Sequence, residues 1–374
     1  MPIPPILCIS GASGSGKTTL LERLIPSLSA EGLKIGAVKR ASAGLLSDPA
    51  GKDSSRLAAA GAEPTIAVSP NGLIVHSRTP LGLVDLAATY CANCDLVLAE
   101  GYRQSPHDKI LFTSGDDASS QEANLASVCL VVASRMIASP EAIHRDDIDA
   151  LVRWVRNWLV RRRRLREGVI GAILVGGQSR RMGADKAAMR SCGRPVLSDL
   201  AELLGGRLKE VWVVGRLLRH VDLPLFVRQH LDLRPGCGPL GGIATALRIA
   251  GAEAPAVAQE APGGPSTPQA VLVVACDMPA LSGETLDILL ERRRKDKPAS
   301  VLRQPATGRL EPMAAVYEPE ALEGIEHALN SGALSATKLL ESIGAHAIDV
   351  PSEIADNLCN VNTPEELEEI DGKR

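Results

Sequence analysis

The sequence predicts two α/β domains in tandem. Three observations carry that expectation. Two glycine-rich loops of different design each follow a short apolar run: Gly11-Ala-Ser-Gly-Ser-Gly16-Lys17-Thr18 after Ile6–Ile9, and Leu174-Val-Gly-Gly-Gln-Ser-Arg-Arg-Met-Gly-Ala-Asp-Lys186 after Val169–Ile173. Apolar strand-like runs alternate with helix-period segments in both halves, the pattern of parallel sheets covered on both faces. A basic run, Arg161-Arg-Arg-Arg164-Leu-Arg166-Glu-Gly168, stands between the halves.

In chain order, Ile6–Ser10 reads as a strand. Thr18–Ala30 reads as a helix with Leu20, Leu21, Leu24 and Leu28 on one face. Lys34–Lys39 and Thr65–Val68 are further strands, and Asp95–Ala99 and Ser127–Val132 look like buried parallel strands. Ile143–Val160 is expected to be an amphipathic helix. The basic run closes it, with arginines complementing the dipole and Gly168 as a stop. An anionic-partner patch is the other reading of that run, against a solvated helix end. In the second half the expected strands are 168–175, 210–214, 223–228, 270–275, 299–303 and 310–317. The Ala/Pro/Gly-rich stretch 251–269 reads as an insertion. The expected boundaries are residues 1–160, a basic linker at 161–167, and residues 168–374.

With 374 residues, each half can bury its own core. The net charge of −3 argues against bulk attraction to nucleic acid or membrane. No apolar run reaches the roughly 18 residues of a membrane span, and Met1-Pro-Ile-Pro-Pro5 lacks the features of a secretory signal, so a cytoplasmic location is expected. The eight cysteines are scattered singly, as in reduced proteins. Cys91-Ala-Asn-Cys94 is a lone pair without a second pair or histidine at ligand spacing; zinc or redox chemistry stays open beside the simpler reading, a helix end before a strand.

The first loop matches the phosphate-binding P-loop in full, with a strand before it and a helix after. Gly11, Gly14 and Gly16 free backbone N–H groups for phosphates, Lys17 reaches the β and γ phosphates, Thr18 offers a hydroxyl to Mg²⁺, and Thr19 follows in the nucleotide-binding set. Glu100, at the end of the 95–99 run, is the candidate carboxylate for the Mg²⁺ shell or an attacking water; Asp95 reads as a structural start to the strand. Together with Asp48-Pro-Ala-Gly-Lys-Asp53-Ser54, Gly61-Ala62 and Val97-Leu-Ala-Glu-Gly-Tyr-Arg103, these residues resemble MobB, the P-loop GTP-binding accessory protein of molybdenum-cofactor guanylation, over about residues 5–160. The chain departs from the family after Lys39, where Arg40-Ala-Ser-Ala-Gly44 replaces the usual histidines. Asp53 and Ser54 fit helix capping as well as a nucleotide or metal contact.

The second loop is neither a P-loop nor a dinucleotide fingerprint. Gly176 and Gly177 let the backbone approach a triphosphate, and Arg181 and Lys186 place cations where charge builds as pyrophosphate leaves. Asp277 stands at the mouth of the 270–275 run. Leu174–Lys186, Asp232 with Gly238-Pro-Leu-Gly-Gly242, Val271–Pro279, Glu311-Pro312 and Asn360-Val-Asn-Thr-Pro-Glu-Glu366 resemble MobA, the molybdenum cofactor guanylyltransferase, over about residues 168–370. The resemblance implies that Leu174, Val175, Gly176, Gly177, Lys186, Asp232 and Gly238 bind the nucleotide and that Asp277 holds Mg²⁺. It places Asn360 and Asn362 on the pterin side, while Thr363 and Glu366 also form a capping box. Val175 stands where the family has alanine, and Gly215-Arg216 where it has an asparagine for the nucleotide.

The two resemblances imply a P-loop NTPase-like parallel or mixed sheet followed by a Rossmann-like, doubly wound nucleotidyltransferase sheet. The implied reaction transfers GMP from GTP to molybdenum-molybdopterin, beside a GTP-binding adapter domain that meets proteins delivering or receiving the cofactor. A cytidylyltransferase acting on the same pterin and a GTP-binding module with a decayed transferase half are the rivals; a sugar-phosphate nucleotidyltransferase fits the P-loop partner poorly.

Overall fold

The computed structural model describes residues 2–41, 56–57, 59–62, 64–70, 72–77, 81–113, 127–133, 142–176, 186–218, 221, 223–252, 269–361 and 363–373. In the first half, β1 (Ile6–Gly11) leads through the P-loop into α1 (Lys17–Ala30), followed by β2 (Ile35–Lys39), β3 (Thr65–Ser69), β4 (Gly72–His76), α2 (Leu83–Tyr90), β5 (Leu96–Glu100), β6 (Lys109–Thr113), β7 (Val128–Ala133), β8 (Ala142–His144) and α3 (Ile148–Leu165). Six strands form one sheet in the order β2-β5-β1-β6-β7-β8, every pairing parallel. Leu20, Leu24 and Leu28 of α1 and Leu151, Val155 and Leu159 of α3 cover it in one apolar cluster.

Two expectations change here. Thr65–Ser69 is a strand but not of the main sheet; it pairs antiparallel with β4 as a separate hairpin. The helix expected from Ile143 starts five residues later, because Ile143 belongs to β8 and the helix start signal is Asp147. Its carboxylate accepts from the Ala150 amide at 2.9 Å, an N-cap.

The second half begins with β9 (Val169–Val175), then the short hairpin β10 (Arg190–Ser191) and β11 (Arg194–Pro195), α4 (Val196–Gly205), β12 (Val211–Gly215), β13 (Val227–Leu231), α5 (Gly238–Ala252), β14 (Ala270–Ala275), α6 (Gly283–Glu291), β15 (Ala299–Arg303), β16 (Leu310–Tyr317), α7 (Ala321–Asn330), α8 (Ala336–Ser342), β17 (His346–Asp349) and α9 (Pro364–Lys373). Its seven-stranded sheet runs β13-β12-β9-β14-β16-β15-β17, with β16 antiparallel to both neighbours. The strand expected at 223–228 lies at Val227–Leu231 instead. Pro224 opens a turn closed by the Val227 amide, so pairing starts only at Val227. The Gly238–Gly242 stretch is the opening of α5, where Pro239 has the fixed φ that suits a first helical turn. Most of the 251–269 insertion lies outside the described residues.

The basic run is a solvated helix end only in part: Arg161, Arg163 and Arg164 are exposed, whereas Arg162 and Arg166 are buried. Residues 161–165 are the last turn of α3, and Arg162 is only 5% exposed. Asp108, before β6, accepts from Trp158 Nε1 at 2.6 Å and from Arg162 Nε at 2.8 Å. Arg162 also forks onto Asp287 of α6 at 2.5 and 2.8 Å, and Arg207 Nε donates to the same carboxylate at 3.1 Å. Arg166 donates to the Ile3 carbonyl, and the Ile3 amide to that of Lys209 at 3.1 Å. Around these groups one apolar cluster runs across the junction, with Leu83, Val84 and Ala87 of α2 and Leu200, Leu203 and Leu204 of α4 among its members.

Burial works against the charge of Asp287, but Arg207 and Arg162 outweigh it and hold the carboxyl below its ordinary range. A carboxylate so lowered contributes stability above its unfolded value near 4, and that contribution is lost as pH falls. We expect the urea midpoint of the full chain to drop as pH falls below about 5, and the drop to be shallower in Asp287→Asn, which has no such proton to take up. Equal slopes would show that the carboxylate does not couple to folding. Among the described residues, no helix is long and apolar enough to cross a membrane.

Candidate functional site

The first loop lies where β1 gives way to α1. At Gly11, φ is +149° and a Cβ would stand 2.2 Å from the Phe112 carbonyl oxygen, so only glycine lets the loop leave the sheet against β6. Gly14 and Gly16 also have positive φ, and Gly16 caps α1. Lys17 is buried, its ammonium donating to the carbonyls of Gly11 at 3.0 Å and Ala12 at 2.5 Å. Thr19, one position beyond Thr18, is exposed.

Register brings Glu100 to this loop. It pairs with Ile9 across β1 and β5, and Thr18 Oγ1 donates to its carboxylate at 3.0 and 2.9 Å. A hydroxyl and a carboxylate in contact at the carboxyl ends of parallel strands are two hard oxygens suited to Mg²⁺. Asp95 lies before β5 and accepts from the Lys34 amide at 2.9 Å, a structural contact.

Two cations of this site were missed in the sequence. Lys39, at the end of β2 and level with Glu100, donates to Thr18 Oγ1 at 3.1 Å and lies 3.3 Å from Glu100. Arg145, after β8, has its guanidinium 5.4 Å from the centre of the Phe112 ring and beside Gly16. The only available signal was a cation after a strand, and strand order, which decides who faces whom, is not written in the spacing. Asp48–Ser54 lies outside the described residues. Cys91 ends α2, and Cys91 and Cys94 are free thiols; among the described residues no group of three metal-binding side chains occurs.

In the second half, Leu174 and Val175 are buried at the end of β9 and Gly176 is exposed beyond it. Gly177 and Arg181 lie outside the described residues. Lys186, the last residue of the loop, donates to Asp277 Oδ2 at 2.7 Å, beside the mouth of β14. Asp277 is anchored from behind by the Val361 amide, which donates to its carbonyl at 2.8 Å.

Asp232 follows β13. Its Oδ1 accepts from the Arg234 amide at 2.8 Å and from Thr245 Oγ1 at 2.9 Å, which fixes the loop entering α5, while Oδ2 lies beside Gly241. Gly238, with φ +63°, starts that helix. At Gly215, where the resembled family has its asparagine next to the strand, a Cβ would stand 1.8 Å from the Val175 carbonyl oxygen; close approach to β9 is what this glycine supplies.

Glu311, at the start of β16, is buried, and burial raises its carboxyl above the ordinary range. Thr363 Oγ1 accepts from the Glu366 amide at 3.3 Å, the expected cap of α9; Asn362 lies outside the described residues.

Residues 6–134 match the family described as molybdopterin guanine dinucleotide synthesis protein B, and residues 171–347 the MobA-like NTP transferase domain. The chain is 34% identical over 163 residues to the molybdopterin-guanine dinucleotide biosynthesis adapter protein of Escherichia coli, covering 41% of this chain and 93% of that one. It is 41% identical over 110 residues to the adapter protein of Haemophilus influenzae, covering 29% of this chain and 62% of that one. Its second half is 31% identical over 200 residues to a probable molybdenum cofactor guanylyltransferase of Opitutus terrae, covering 52% of this chain and 91% of that one. A parallel-sheet P-loop domain that aligns with one group and a mixed-sheet domain that aligns with the other lie in a single polypeptide, and the chain therefore belongs to both the MobB and the MobA-like families, as a MobB–MobA fusion.

Proposed function

We propose that the second half transfers GMP from GTP to molybdenum-molybdopterin, releasing pyrophosphate, and that the first half is a GTP-binding adapter. The observation that carries this reading is the Lys186–Asp277 contact. It joins a cation from the glycine-rich loop to a carboxylate at the end of the central strand, 91 residues apart in the chain. Guanylyltransferase relatives favour GTP over CTP, so the cytidylyl reading is not favoured.

In this reaction a terminal phosphate oxygen of the pterin attacks the α-phosphorus of GTP in line. The new P–O bond forms as the bond from the α-phosphorus to the bridging oxygen breaks, and the electron pair leaves on pyrophosphate. An attacking phosphate is already ionised near neutral pH, so the chain needs no general base. What it supplies is position and charge. Lys186, with Arg181 from the same loop, neutralises the developing negative charge. Asp232 and the start of α5 hold the nucleoside. Mg²⁺, when bound, screens the phosphates and acts as a Lewis acid, with Asp277 as its carboxylate in the transfer site and Thr18 and Glu100 in the P-loop site. Free thiols among the described residues suit a reducing, cytoplasmic setting, with proteins that deliver or receive the cofactor as partners.

The test is pyrophosphate release by the full chain with Mg²⁺ and molybdate-loaded molybdopterin, comparing GTP with CTP. Release with GTP and little with CTP is the expected result. Preferential release with CTP reassigns the base, and no release with either nucleotide overturns the reading of the second half.

A further inference from the structure

Two buried oxygens near Asp277 accept no hydrogen bond from the described residues. Glu311 is 2% exposed, and its Oε2 has no donor among the described residues; the Arg309 guanidinium stands 3.6 Å away, beyond hydrogen-bond range. Asn360 Oδ1 is also buried without a donor among the described residues, and the Asn360 amide beside the Glu311 carboxylate opposes the upward push of burial on that carboxyl. An amide that favours a carboxylate turns its N–H₂ toward it, because a carboxylate can only accept, which leaves Oδ1 facing elsewhere.

Topology gathers the three groups. The antiparallel ladder of β14 with β16 ends at Val274 opposite Ala314, and beyond that end Asp277 and Glu311 lie near enough for the Asp277 charge to act on the Glu311 carboxyl. Asn360 precedes Val361, whose amide holds the Asp277 carbonyl. Acceptors buried without donors are costly. Two carboxyl groups set side by side add repulsion whenever both are ionised. A ligand that relieves both is a divalent cation, which takes carboxylate and amide oxygens and can share phosphate oxygens with a nucleotide.

We propose that Glu311 and Asn360 extend the oxygen set of Asp277 into a divalent-cation site, with Glu311 both lending an oxygen and orienting the Asn360 amide. The inference rests on the transfer reading for its use, but the cation site can be tested without substrate. The probe is Mn²⁺ alone, titrated into the full chain and followed by electron paramagnetic resonance. Any contribution of the P-loop site is common to all variants.

Glu311→Gln is expected to weaken Mn²⁺ binding by about tenfold or more, the usual scale for groups that orient metal ligands. Asn360→Ala is expected to weaken it as well, and Asn360→Asp, which keeps an oxygen in place, to restore it. A merely structural role for Asn360 predicts no such rescue. Unchanged Mn²⁺ affinity in Glu311→Gln overturns the proposal. If that variant does not fold, equal Mn²⁺ affinities for Asn360→Ala and Asn360→Asp overturn it. Loss of Mn²⁺ binding in a chain that never releases pyrophosphate would leave the cation site standing and the transfer reading fallen.

Discussion

Asp277→Ala is expected to lower GTP-dependent pyrophosphate release by about a thousandfold or more, equivalent to roughly 4 kcal/mol of transition-state stabilisation. The carboxylate stands just beyond the end of β14 and accepts from the Lys186 ammonium. On the proposed reading, removing it would delete an oxygen ligand for the cation and free Lys186 from the position in which it would meet the phosphates. Most of the loss should fall on kcat, because the proposed nucleoside side, Asp232 and the start of α5, is held by Thr245 and the Arg234 amide and should stay intact. Single-turnover assays with saturating GTP separate the outcomes. A variant that keeps more than a tenth of the wild-type rate would remove Asp277 from the reaction, and a pure rise in KM would make it a ground-state binding group.

The second large effect concerns folding. Asp108→Ala is expected to destabilise the chain by about 3–5 kcal/mol, the usual scale when one partner of a buried ion pair is removed. Asp108 takes the Trp158 indole N–H and the Arg162 guanidinium, with Arg207 3.8 Å away; without it, a buried N–H loses its acceptor and buried positive charge loses half its compensation. Asp108→Asn keeps an acceptor oxygen for Trp158 but not the charge, so its cost should be intermediate. Urea denaturation followed by tryptophan fluorescence reads both, since Trp158 is itself a reporter. Wild-type stability in Asp108→Ala would mean that water or side-chain rearrangement replaces the network at no cost.

The parts of this molecule visible in the sequence are those written in local patterns. Val169–Val175 and Ala270–Ala275 are unbroken apolar runs because they are buried on both faces. The P-loop and Glu100 could be paired because ligands gather at the carboxyl ends of strands. Lys109–Thr113 escaped notice because it opens on a lysine. That lysine is buried, its ammonium donating to the carbonyls of Ser105 and His107, a solution that no composition rule anticipates. Arg162 was read as solvated for a similar reason: its acceptors, Asp108 and Asp287, lie 54 and 125 residues away. Glu311 and Asn360 matched a resembled pattern, but that they lie side by side depends on the antiparallel course of β16.

The apolar cluster that runs from α2 into α4 gives the junction a mechanical character. A flexible tether would let two bound nucleotides drift relative to each other over the reach of the chain between them. Here the tether is the end of a helix with Arg162 and Arg166 sunk in the seam, an arrangement that resists such drift. The distance between the two phosphate-loop mouths is then expected to vary little, and a partner that touches both halves is expected to meet them as one surface.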